Sequence, residues 1–101
     1  MKMLTIVCRD KFEDEVLSVF SNLKITGYTV VHGAGGSGET GAVSVTHSSY
    51  EHNKLILVAL EDDRMELLVK GVKQLLARLV EERMGHPVPL KAFVQPCDPI
   101  F

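Results

Sequence analysis

Two short segments, Met3–Cys8 and Leu55–Leu60, are apolar on both of the faces that an extended chain presents. In the first, Leu4, Ile6 and Cys8 alternate with Met3, Thr5 and Val7. The second, led by Lys54, runs almost without interruption through Leu55-Ile56-Leu57-Val58-Ala59-Leu60. Strands of this kind belong in the middle of a sheet that is covered on two sides. A chain of 101 residues makes one domain, 1–101, and a single domain of this size has little with which to cover both.

Between these strands the hydrophobic period changes. Phe12, Val16 and Phe20 recur every four residues, with Val19 and Leu23 on the same side, which predicts an amphipathic helix over 11–24. Asp10 is the expected N-cap, and Glu13, Asp14 and Glu15 suit the positive end of the helix dipole. Tyr28–His32 is rich in strand formers. After Leu60, Glu61-Asp62-Asp63 is expected to cap a second helix. Its apolar stripe is Met65, Leu68, Val69, Val72, Leu75, Leu76, Leu79 and Val80. Gly85 suits the left-handed position that ends such a helix, with Pro87 just beyond. Leu90–Gln95 predicts a last strand.

The order is β-α-β-β-α-β, an α+β ferredoxin-like unit: a four-stranded antiparallel sheet with both helices on one face. The face away from the helices also carries apolar side chains. Copies of the chain packed sheet to sheet would cover it, so the patterning predicts a homo-oligomer.

Composition narrows the function. Hydrophobic residues make up 46% and charged residues 24%, which excludes disorder over most of the chain. With 11 Lys+Arg against 13 Asp+Glu there is no basic excess for nucleic acid. No apolar run approaches the roughly 18 residues that span a bilayer. The segment MKMLTIVCRD is too short in apolar residues for a secretory signal, and Cys8 and Cys97 make no disulfide framework. The cytoplasm is the expected compartment.

Five of the 8 glycines (Gly33, Gly35, Gly36, Gly38 and Gly41) fall within nine residues, and residues 33–53 are expected to form a flexible loop, with Ala42–Thr46 extending a ribbon. Gly33, Gly35 and Gly38 match GxGxxG formally. Glu39-Thr40-Gly41-Ala42-Val43 does not open a helix, so a dinucleotide fold is not implied; glycine-rich backbone can still wrap an anion. His47 and His52 lie five apart, without a familiar metal-ligand spacing. Cys8 and Cys97 belong to opposite ends of neighbouring antiparallel strands and cannot share a disulfide or a metal. No serine stands in a nucleophile–base pattern, so no catalytic residue is assigned. Lys91 is set among apolar strand residues after a proline-rich turn. It reads either as an outward-pointing lysine or as a point charge for phosphate.

Three segments resemble the PII signal-transduction superfamily: Ile25-Thr26-Gly27-Tyr28-Thr29-Val30, the Lys-led strand with its acidic cap from Lys54 to Asp63, and Lys91-Ala92-Phe93-Val94-Gln95-Pro96. The likeness runs over essentially the whole chain. It implies a PII-like homotrimer, non-enzymatic, that binds an adenine nucleotide (ADP, AMP, ATP or a cyclic nucleotide) between subunits. The implied nucleotide contacts are Gly27, Tyr28, Thr29, Gly33, Gly35, Val58 and Lys91, with no metal and no catalytic cofactor. Residues 33–53 would be the T-loop that docks onto a protein target, such as a membrane transporter for bicarbonate or another small ion. Gly85-His86-Pro87-Val88-Pro89-Leu90 stands where PII proteins have a glycine-rich B-loop, and Gly36-Ser37 where they have Arg-Gln. The C-terminal arginine segment of PII has no counterpart before Phe101. These departures favour a PII-like relative over an ATP and 2-oxoglutarate sensor, and leave open one that has lost nucleotide binding. The alternative from another class is a CutA-like trimer binding a divalent metal through His47, His52, Cys97 or His86. A third is a regulatory domain of a biosynthetic enzyme, which a complete domain with its own start methionine disfavours.

Overall fold

The computed structural model describes residues 1–38, 41–43 and 52–101. Strand β1 (Lys2–Arg9) leads through a 3-10 turn (Asp10–Phe12) into helix α1 (Glu13–Asn22). Strand β2 (Thr29–Ala34) is followed by two short strands, β3 (Gly36–Gly38) and β4 (Gly41–Val43), and then by β5 (Asn53–Leu60). Helix α2 (Asp62–Glu82) and strand β6 (Leu90–Pro96) complete the chain.

The main sheet has four strands in the order β2-β5-β1-β6, every pair antiparallel. This is the ferredoxin-like arrangement expected from the element order, and the two doubly apolar segments are its central strands. In the antiparallel ladder, facing residues point to the same side. Leu4 therefore shares a face with Val58 and Val94, and Ile6 with Ile56 and Ala92. On this face Leu4, Ile6, Cys8, Ile56, Val58 and Leu90 form one buried cluster with Phe12, Val16 and Phe20 of the first helical segment and Met65, Leu68, Val72, Leu75 and Leu79 of α2. The helices come close at Gly71, where an added Cβ would lie 2.7 Å from Val19 Cγ1.

The opposite face carries Met3, Thr5 and Val7, beside Leu55, Leu57 and Ala59 of β5 and Lys91, Phe93 and Gln95 of β6. No helix covers it. Phe93 is 59% exposed and Val31, at the far edge, 43%.

The helix ends differ from expectation. Asp10 is not the N-cap of α1: it lies inside the 3-10 turn, and Phe12 precedes the helix without a side-chain cap bond. The backbone N–H of Asp10 donates to His52 O at 2.8 Å, so the chain is held there by β5's approach and not by a cap. Glu61 does occupy the N-cap of α2, but its carboxylate makes no cap bond; Asp62 and Asp63 act in the first turn. Both helices end in the same reciprocal pattern. At α1, Lys24 has φ 58°, its N–H donates to Ser21 O, and Ile25 N–H donates to Phe20 O at 2.9 Å. At α2, Gly85 is left-handed as expected (φ 84°), Met84 before it is left-handed too (φ 54°), and Gly85 N–H donates to Val80 O at 3.0 Å.

Within 33–53, Gly33 and Ala34 belong to β2 and Asn53 to β5, and β3 pairs with β4 as an antiparallel ribbon. Residues 39, 40 and 44–51, on which the expectation of a flexible loop mainly falls, lie outside the described residues, as does His47.

Candidate functional site

The end pattern of α1 sets up the segment that follows it. Ile25 is buried and turns the chain outward, so that Thr26, Gly27, Tyr28 and Thr29 are all exposed. A Cβ at Gly27 would meet nothing within 4 Å. Tyr28 stands edge-on to the buried Phe20, with ring centroids 5.3 Å apart and planes at 84°. Tyr28 is 39% exposed and lines a cleft of about 530 Å³ with Leu17, Ser21, Lys24, Ile25 and Thr26. An exposed aromatic ring anchored on a buried one offers stacking surface to a flat heterocycle.

A second group gathers where β1 and β2 end and β5 and β6 begin. Gly33 takes φ 69° at an irregularity in the register between Val31 and Ala34, which turns β2 towards β3. Lys54 Nζ hydrogen-bonds with His32 Nδ1. The same ammonium lies 3.4 Å from Glu13 Oε1 and 3.9 Å from Asp10 Oδ1, joining β2, β5 and α1 at the base of residues 33–53. At the same end of the sheet Arg9 N–H donates to Pro89 O at 3.2 Å, and exposed Lys91 stands in register with Val7.

Strand order then decides which expected contacts meet. Gly33, Gly35 and Lys91 lie at one end of the sheet. Thr29 faces Leu57, which faces Thr5, which faces Phe93. β2 and β6 are thus opposite edges, three inter-strand steps or about 14 Å apart. Gly27, Tyr28 and Thr29 do not converge with Lys91 within one chain. Val58 is 2% exposed, with its side chain in the helix-facing core.

The ion-pair cluster of Lys54 and the brace made by Arg83 are set by tertiary contacts and carry little local sequence signal. Lys54 opposes Cys8 across the ladder, and a lysine at the head of an otherwise buried strand was its only sequence signal. Arg83 donates from Nε to Pro87 O at 3.1 Å and braces the turn into β6; nothing in its local sequence marks it. Burial, reinforced by the negative charges of Glu13 and Asp10 and opposed by Lys54, pushes the Cys8 thiol up to about 11. Cys8 faces Leu90 while Cys97 lies beside Met1, so the two sulfurs sit at opposite ends, both free. Among the described residues no group of three or more His, Cys, Asp or Glu is placed to hold a metal, and no helix is long and apolar enough to cross a membrane.

No curated protein sequence matches the chain. Solved structures do. CPII, a nitrogen regulatory PII-like protein from Thiomonas intermedia K12, superposes in its form bound to ADP, AMP and bicarbonate with a TM-score of 0.72 and 18% identity, over 93% of this chain and 82% of that one. The form bound to ADP and bicarbonate gives 0.70 and 18% over the same shares. The apo form gives 0.63 and 17%, over 93% of this chain and 85% of that one. At these identities the likeness speaks to the fold. The family model for nitrogen regulatory protein P-II matches residues 1–99, and with that match the chain belongs to the P-II family.

Proposed function

We propose that the chain is a non-enzymatic, cytoplasmic PII-like regulator that works as a homotrimer. It binds an adenine nucleotide in the clefts between subunits and acts through residues 33–53 on a protein target, such as a membrane transporter. The observation that carries this reading is the separation of Gly27–Thr29 from Lys91 by the width of the sheet. Two half-sites at opposite edges of one chain become one site when the β2 edge of one copy meets the β6 edge of another. The exposed apolar sheet face, with Phe93 and Val31, supports the same assembly. In this arrangement Tyr28 stacks on the base, Gly27 and Thr29 flank it, and Gly33, Gly35 and Lys91 approach the phosphate; Val58, 2% exposed in a central strand, has no surface to offer a ligand.

The relatives support the ligand class, since CPII is described bound to ADP and AMP. An effector placed beside Gly33 and Gly35 reaches the base of residues 33–53. It changes their affinity for a target only by binding their alternative arrangements unequally. Calorimetry with ATP, ADP, AMP, cyclic AMP, zinc and copper tests the reading. An adenine nucleotide is expected to bind, and hydrogen exchange across 33–53 to slow when it does. Metal binding lost on His47→Ala with His52→Ala, without nucleotide binding at millimolar concentration, would establish the CutA-like alternative instead.

A further inference from the structure

The turn between α2 and β6 has almost no backbone donors left to offer. Gly85 N–H donates to Val80 O at 3.0 Å, His86 N–H to Arg83 O at 3.0 Å, and Leu90 N–H to Val88 O at 2.7 Å. Pro87 and Pro89 have none. Because Arg9 N–H bonds Pro89 O, the alternation of the antiparallel ladder makes Val7 and Lys91 the next bonded pair, so the N–H of Lys91 is directed to β1. Arg83 Nε holds Pro87 O from the helix side, which keeps the turn in this arrangement. From residue 85 to residue 91, Val88 alone carries an amide that none of these bonds takes.

A phosphate chain is held by converging amides and cations, and each added phosphate brings charge that must be desolvated against new donors. On the β6 side of the cleft, Lys91 supplies a side-chain cation, and the turn beside it supplies at most one amide. We infer that this site takes an adenine nucleotide with a short phosphate chain, of the AMP class, and does not select ATP. Pro87 is the residue that sets this limit, because an amide at position 89 would be directed to Arg9 across the ladder, as Arg9 N–H is to Pro89 O. The inference rests on the reading of Lys91 as a phosphate contact given under Proposed function.

Calorimetry on the full chain with adenosine, AMP and ATP tests it. AMP is expected to bind more tightly than adenosine and at least as tightly as ATP. Pro87→Gly, shown by its melting curve to be folded, should improve ATP relative to AMP by about tenfold, the worth of one regained bond to a charged group. Wild-type protein that binds ATP tenfold or more tightly than AMP overturns the inference and leaves the nucleotide reading standing. A folded glycine variant with an unchanged ATP-to-AMP ratio overturns the role of Pro87. Failure of all three ligands at millimolar concentration overturns the nucleotide reading, and the inference with it. The wild-type series decides the preference even if the variant does not fold.

Discussion

The ring of Tyr28 rests edge-on against Phe20, 5.3 Å between centroids, and ties the exposed entrance of β2 to the centre of the core. Phe20 is fully buried, and its carbonyl also receives the N–H of Ile25. One residue thus anchors both the end of α1 and the aromatic platform. Phe20→Ala should cost about 3–5 kcal/mol, read by chemical denaturation. Tyr28→Ala should cost stability only about 1 kcal/mol, the worth of the ring pair. Its larger effect should be on nucleotide binding.

Lys91→Ala should weaken adenine-nucleotide binding by roughly 1.5–3 kcal/mol, the range for a hydrogen bond to a charged group. Lys91 is exposed on an edge strand, so its melting temperature should stay near that of the wild type. Equal affinity in the variant would remove Lys91 from the phosphate site. Gly27→Val should also weaken binding by crowding the base, since the space beside Gly27 is open within its own chain.

Gly71 and Val19 should behave as a coupled pair. Alanine at Gly71 gains about 1 kcal/mol of helix propensity, while its Cβ, 2.7 Å from Val19 Cγ1, overpacks at a cost of about 1–3 kcal/mol. Gly71→Ala should therefore be neutral to destabilising alone and stabilising in a Val19→Ala background. A double-mutant cycle that closes to zero would contradict the close approach of the helices.

The Cys8 thiol makes the fold sensitive to alkali. Burial raises it from the ordinary 9.0 to about 11, so between these values the folded chain keeps a proton that the unfolded chain loses. Stability is then unaffected below about pH 9 and falls as pH rises towards 11. The loss is about 2–3 kcal/mol at most, at 1.36 kcal/mol for each tenfold step. Denaturation curves at pH 8 and 10.5 should differ accordingly, and the difference should shrink in Cys8→Ala. In native protein at pH 8 a thiol reagent should label Cys97 well before Cys8, which is 1% exposed.

Phe93→Lys should separate the subunits. Phe93 lies on the uncovered sheet face, 59% exposed in one chain, so a charge there leaves the chain's own core intact. Light scattering should return a trimer for the wild type at micromolar concentration and a smaller mass for the variant. A wild-type mass of one chain would overturn the trimer.

Element order and core faces were legible because period is a local property. Alternation in Met3–Cys8 and the four-residue spacing of Phe12, Val16 and Phe20 mark buried faces whatever else the chain does, and these are the faces found packed together. The continuous run Leu55–Leu60 likewise announced a central strand. The helix ends were not legible at the same resolution. A cap depends on where the backbone must turn to enter the next element, and Asp10 was drawn into a 3-10 turn by the bond from its N–H to His52, 42 positions away. Met84 is left-handed in addition to the expected Gly85, because the bonds to Glu81 and Val80 close there. The site was legible as residue types but not as a place. Gly27–Thr29 and Lys91 stand out in the chain, yet the order β2-β5-β1-β6 puts them on opposite edges. Sheet order is set by non-local pairing of whole strands, which no window of sequence contains. The same holds for the donors around Pro87 and Pro89: which amides are spent follows from contacts to Val80, Arg83 and Arg9, and so from the packed structure.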